Sequence, residues 1–265
     1  MSITENSRNP AILHVVIGTT SGKFEKLRNT MNTTQYDTLF IHHEESGMAD
    51  FEETIQHTDW AMVVFTVTEN PRAMEYALRL SKMVKEHGIL SMIAIESKTW
   101  NAAEFLAEHH LDMAQILAHT DSLILVPGAQ HFYSNVTTSL SLAQRLLDED
   151  GFINLDLSDL SAMLKDAGLA YLGCRTLKGH TCEERMADLD SAEIIPKEIL
   201  ATAKSCLIQM NGCMDIGLDD VEGIVERVQQ YLPDDALIVF GAAFDDELQD
   251  EIQVNVLASG FEIVP

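Results

Sequence analysis

The chain has 265 residues, 46% of them hydrophobic, which is enough apolar material for one large core or two modest ones, and two are expected here. Acidic residues outnumber basic ones 42 to 17, with 20 against 10 in residues 1–150 and 22 against 7 in residues 151–265, so both halves repel polyanions. No cluster of Lys and Arg is present to hold a phosphate backbone or an anionic bilayer, and neither a nucleic-acid partner nor membrane insertion is expected.

Residues 1–10 are polar and read as a loose arm, without the apolar core of a signal peptide. No run of about 18 apolar residues follows, so a cytoplasmic protein is expected. Ala11 to Ile17 is an apolar run broken only by His14 and closed by Gly18, the pattern of a strand buried in a parallel sheet. The following Gly18-Thr-Thr-Ser-Gly-Lys23 has glycine, hydroxyls and lysine ahead of a helix, as an anion cradle does. It is not a P-loop, because Gly18 and Gly22 enclose three residues rather than four and Phe24 follows Lys23 where Ser or Thr is needed.

Leu39 to Ile41 is a second strand, Phe51 to His57 a short helix, and Trp60 to Val67 a third strand. Apolar residues at helical spacing (Met74, Ala77, Leu78, Met83, Val84) predict a helix from Pro71 to His87, stopped at Gly88. Ile89 to Ile95 is a fourth strand. A helix near Asn101 to Leu117 and a strand from Asp121 to Pro127 follow, and Ser139 to Asp148 predicts a short helix. Strands alternating with helices in this way predict a doubly wound α/β domain with a mostly parallel sheet.

The second half predicts helices at Leu157–Ala167, Glu183–Leu189, Pro196–Lys204 and Leu218–Tyr231. Strands are expected at Leu169–Cys174, Ser205–Asn211, Ala236–Gly241 and Glu251–Ala258. The four cysteines lack C-x-x-C spacing and lie in or beside apolar segments, which predicts reduced, buried thiols. The ten histidines are scattered, and adjacent pairs such as His109 and His110 point apart, so no metal site is expected.

Between the halves stands Gly151-Phe-Ile-Asn-Leu-Asp-Leu-Ser-Asp159, which gathers Asn154, Asp156 and Asp159 at the start of a helix. Capping alone explains such a cluster, since carboxylates satisfy the orphan N–H groups of a first turn. The run also resembles the loop joining the two domains of the bacterial tubulin homologue FtsZ, with the pattern G-[LI]-[IM]-N-x-D-x-x-D. Asp121-Ser-Leu-Ile-Leu-Val-Pro127, Ala167 to Gly173 and Ala242 to Gly260 resemble that family's later strand, next strand and closing hairpin.

The resemblance implies a trimmed FtsZ-like nucleotide domain at 1–150, including a shortened central helix, and a smaller α+β domain at 151–265. It also implies that the loop acts in trans, its carboxylates positioning the attacking water in the nucleotide pocket of the next subunit. The family's own pocket is built on a G-G-G-T-G-T-G turn, and the matching place here is Thr66-Val-Thr-Glu-Asn-Pro-Arg-Ala73. Pro71 has no N–H to offer a phosphate, Glu69 adds a negative charge, and no two of the fourteen glycines are adjacent.

The expectation is a protein that does not hydrolyse GTP alone, has no catalytic residue in cis, and caps or modulates an FtsZ-type filament through Asn154, Asp156 and Asp159. Its partner is then an FtsZ-like protein or a second copy of itself, and no cofactor is required. Two alternatives stand beside it. One is a divergent GTPase holding GTP or GDP with magnesium through Gly18, Thr19, Thr20, Lys23 and Arg72. The other is a module that assembles with itself without any nucleotide.

Overall fold

The computed structural model describes residues 11–18, 38–42, 48–56, 60–67, 71–127, 132–147, 151–213, 216–245 and 248–261. Strand β1 (Ala11–Gly18) is followed by β2 (Thr38–His42), helix α1 (Met48–Gln56), β3 (Trp60–Val67), α2 (Pro71–Glu86) and β4 (Leu90–Ser97). Next come α3 (Ala102–Glu108), α4 (Met113–Leu117), β5 (Ser122–Pro127), α5 (Phe132–Leu147), β6 (Gly151–Ile153), α6 (Leu157–Leu164) and β7 (Gly168–Leu177). The chain continues with α7 (Cys182–Ser191), α8 (Lys197–Leu200), β8 (Ser205–Gly212), α9 (Leu218–Gln229), β9 (Leu237–Phe244) and β10 (Ile252–Phe261).

All described strands join one sheet in the order β2-β1-β3-β4-β5-β7-β10-β8-β9-β6. The first five are mutually parallel, which their continuous apolar runs require because both faces are covered. The sheet passes from 1–150 into 151–265 without a break, through parallel pairing of Ser122 to Leu125 with Gly168 to Tyr171. An ion-pair knot reinforces this seam. Lys85 Nζ on α2 reaches Asp121 Oδ1 at 3.2 Å and Asp166 Oδ1 at 2.7 Å, while the buried Asp121 accepts the Ser91 N–H at 2.9 Å.

Among the described residues, α1 to α4 and α7 to α9 bury their apolar sides on one face of the sheet, while α5 and α6 cover the other. Helix α2 shows why: Pro71 pre-sets the first helical φ, and Ala73, Met74, Ala77, Leu80 and Val84 form one buried stripe. The chain then leaves the helix through Gly88 at φ 76, the left-handed conformation that glycine adopts at no steric cost.

The α/β fold with a mostly parallel sheet is as expected, and four local expectations are corrected. The helix expected at Asn101–Leu117 is two helices, since His110 turns left-handed at φ 52 and Asp112 opens α4 by accepting the Ala114 N–H. Helix α5 begins at Phe132 rather than Ser139. Burial of Val136, Ser139 and Leu140 against the sheet overrides the weak helix propensity of the Ser- and Thr-rich stretch.

The closing segment is not a hairpin. Strand β10 inserts antiparallel between β7 and β8, so β8 separates it from β9. Of the four cysteines, all free, only Cys206 is fully buried, its thiol pushed up to about 12 by desolvation, while Cys174, Cys182 and Cys213 are half-buried.

Candidate functional site

Strand β6 brings the chain to the loop. Its three residues pair antiparallel with β9 through Gly151 with Ala243 and Ile153 with Ala242. They pass so close over Gly241 that a Cβ there would meet Leu146 Cδ1 at 2.8 Å and the Ile153 carbonyl oxygen at 3.0 Å. The Leu155 N–H then donates to the Leu146 carbonyl at 3.1 Å and its side chain is buried, so the loop is pinned immediately before the carboxylates.

Asp156 is the N-cap of α6, in extended backbone at φ −92 and ψ 133, and its Oδ1 accepts the Ser158 N–H at 2.7 Å. Hydrogen bonds from Ser158, backbone first, hold its carboxyl below the usual carboxylate range. Its carbonyl closes the first turn to Asp159 and Leu160, and Leu160 is buried beneath. The capping explanation therefore holds for Asp156. Asn154 and Asp159 are exposed beside it, and the Asp159 carboxylate makes no hydrogen bond among the described residues.

On the other flank, Gly18 ends β1 next to β3, with Ile17 opposite Val67. Here β2 and β3 leave β1 on opposite sides, so the crevice beyond Gly18 is the topological switch point where open α/β sheets take ligands. Arg72 is exposed in the first turn of α2 at this end. Thr19, Thr20 and Lys23 lie outside the described residues.

These two groups are not brought together. Five strands stand between β3 and β9, so the six steps from one to the other span about 29 Å at the usual strand spacing. The loop cannot reach the switch-point crevice of its own chain.

The apolar character of the loop's surroundings is not legible in the sequence. Phe152 on β6 is 40% exposed and its ring lies 5.4 Å from that of Phe244, while Leu237 and Phe240 on β9 are also exposed. The run Leu237-Ile-Val-Phe reads as an interior strand, and only its place near the sheet edge exposes it. Among the described residues, no three His, Cys, Asp or Glu side chains are grouped to hold a metal, and no helix is long and apolar enough to cross a membrane.

Comparison with known proteins gives a consistent set of likenesses. The sequence model of the FtsZ family, C-terminal domain, matches residues 176–262, from the end of β7 through β10, and leaves the loop at 154–159 outside. The cell division protein FtsZ of Caulobacter vibrioides is 27% identical over 248 residues, covering 83% of this chain and 48% of that protein. That of Wigglesworthia glossinidia brevipalpis is 24% identical over 205 residues, covering 68% and 52%. The chain thus spans about half the length of the curated relatives it matches.

Among solved structures, an FtsZ mutant from M. jannaschii superimposes with a TM-score of 0.73 at 19% identity, covering 95% of this chain and 92% of that one. CetZ2 from Haloferax volcanii, in a GTPγS-bound protofilament, gives 0.63 at 12% identity over 95% and 93%. At these identities the structural likeness concerns the fold.

Proposed function

Since the chain is a divergent FtsZ-like member of the tubulin superfamily, we propose that it acts by protein assembly, capping or modulating a tubulin/FtsZ-type filament through the loop at Asn154, Asp156 and Asp159. Residues 1–150 then serve as a degenerate nucleotide domain without GTP turnover of its own, and 151–265 as the C-terminal-like domain that carries the contact. The partner is an FtsZ-like protein in the cytoplasm, or a second copy of this chain. The observation that carries this is Asp159: Asp156 is spent on the helix cap, whereas the Asp159 carboxylate is exposed and makes no hydrogen bond among the described residues. A carboxylate that the fold leaves uncommitted, about 29 Å from its own switch point, is suited to a site on another subunit.

The test is sedimentation and GTP turnover of an FtsZ such as that of Caulobacter vibrioides, with and without this protein. The wild type is expected to change the pelleted fraction or the rate. Asp159→Asn keeps the shape of the side chain and is expected to need about tenfold more protein for the same effect, as loss of one charge-assisted hydrogen bond implies. No effect of the wild type on either readout would refute the proposal.

A second reading, a divergent nucleotide-binding protein, is favoured by the placement of Gly18 and Arg72 at the switch point. Calorimetric titration with GTP and GDP in the presence of magnesium decides it. Saturable heat that disappears in Lys23→Ala supports this second reading, and a flat titration leaves assembly alone.

A further inference from the structure

Strand β9 is paired with β8 along its whole length, from Leu237 opposite Ser205 to Phe244 opposite Gly212. Its other side is different. Strand β6 covers only Ala242 and Ala243, so among the described residues no strand pairs with the outer edge of Leu237 to Gly241. Such an edge is a template for another chain, and proteins protect exposed edges with charges, prolines or bulges. The segment Leu-Ile-Val-Phe-Gly-Ala-Ala-Phe of β9 contains neither a charge nor a proline.

Its side chains fit the same picture. Of the four large apolar side chains that are exposed among the described residues, three lie on this edge: Phe152 at 40%, Leu237 at 42% and Phe240 at 37%. Strand alternation puts Phe240 on the same face as Phe244, against which Phe152 stacks, and Leu237 on the opposite face. A strand laid along Leu237 to Gly241 would meet β6 end to end. It would gain apolar contacts on both faces of the sheet.

Charge identifies the occupant. Residues 146–164 and 228–265, which supply β6, β9 and β10, contain no Lys or Arg. Asp234 and Asp235 are exposed just before the open edge, and Asp245 follows β9 directly. A second copy paired antiparallel about Val239 would run Asp235 and Asp234 of each chain onto β6 of the other, already seated beside Ala242 and Ala243, and toward its Asp245, so that sterics and like charge both oppose pairing. A strand that is basic where it passes Ala236 meets the exposed carboxylates of Asp234 and Asp235.

We propose that the outer edge of β9 is a docking strand for an extended segment of another protein, apolar at alternate positions and flanked by Lys or Arg. This edge adjoins the loop that carries Asp159, but its test uses Phe240 and peptide variants that leave the loop's carboxylates in place.

The probe is a fluorescein-labelled peptide Lys-Lys-Val-Thr-Ile-Thr-Val-Lys-Lys, titrated with the full chain and followed by anisotropy. Saturable binding is expected, weakened at least tenfold by Phe240→Lys and by a peptide N-methylated at alternate backbone nitrogens, and reduced by salt. The N-methylated peptide tests main-chain pairing without altering the protein. No saturable binding, equal binding of a peptide with Glu in place of Lys, or indifference to Phe240→Lys would each overturn the proposal. So would sedimentation showing a wild-type dimer that Phe240→Lys dissociates, because the occupant would then be a second copy.

Discussion

Asp220→Ala is expected to lower the free energy of unfolding by about 3–5 kcal/mol, the usual result of stripping one partner from a buried ion pair. The pair is Arg185 on α7 with Asp220 on α9, whose side chains are only 7% and 3% exposed. Arg185 Nε donates to Asp220 Oδ1 at 2.9 Å and Nη2 to Oδ2 at 2.8 Å, a two-pronged contact that holds the guanidinium pKa above its ordinary value. Asp220 Oδ2 also accepts the Gly217 N–H at 3.1 Å, at the start of α9.

Alanine therefore leaves a desolvated cation and an uncapped helix at once. Against a total stability of about 5–15 kcal/mol, that is about a fifth of it or more. The midpoint of urea denaturation should fall with little change in slope. The double variant Arg185→Met, Asp220→Leu should recover most of the loss, because no unpaired charge remains. If Asp220→Ala costs no more than a surface substitution, the pair is not closed in solution.

Acid should also destabilise the protein before its carboxylates titrate. His14 is 1% exposed in β1, and its Nε2 shares a hydrogen bond of 2.6 Å with Thr66 Oγ1, while Nδ1 has no partner among the described residues. Desolvation pushes its pKa down to about 3 from 6.5. The folded state thus excludes a proton that the unfolded state binds. Stability is complete above pH 6.5 and declines as the pH falls toward 3, by about 1.4 kcal/mol for each unit below 6.5.

About 2 kcal/mol is expected to be lost between pH 7 and 5, measured by urea denaturation at each pH. His14→Leu should flatten the curve in that window. Asp166, held below the usual carboxylate range by its hydrogen bond from Lys85, acts only at lower pH: its share is intact above the ordinary carboxylate range and is lost as the pH falls below that range. A wild-type curve that is flat from pH 7 to 5 would mean that His14 is hydrated.

Much of the fold is legible in the chain, and the exceptions share a cause. Trp60–Val67 has the same bounds in the structure as in the apolar run, because a strand covered on both faces has no polar positions to blur its limits. Helix α5 starts seven residues before Ser139, where local periodicity begins it, since the packing that stabilises its first turns comes from strands far away in sequence. The insertion of β10 between β7 and β8 is likewise a choice among distant partners, whereas a hairpin is the local guess.

The candidate site divides in the same way. The Asp156 cap follows from N-x-D ahead of an apolar-periodic run, and Asp112 before Met113 carried the same signal for the α3–α4 break. Neither the exposure of Phe240 nor the meeting of Arg185 with Asp220 leaves a local trace. Both follow from which elements become neighbours.

The β5–β7 ladder has a mechanical consequence. Proteins made of two bodies commonly answer a ligand by rotating one against the other about a few linking residues. Here such a rotation would have to tear the backbone pairing of Ser122–Leu125 with Gly168–Tyr171 and open the Lys85 knot beside it. Among the described residues the middle of the sheet is held by this ladder and knot, and load applied at one flank is carried to the other through them. What the two flanks exchange through this seam is then position and force.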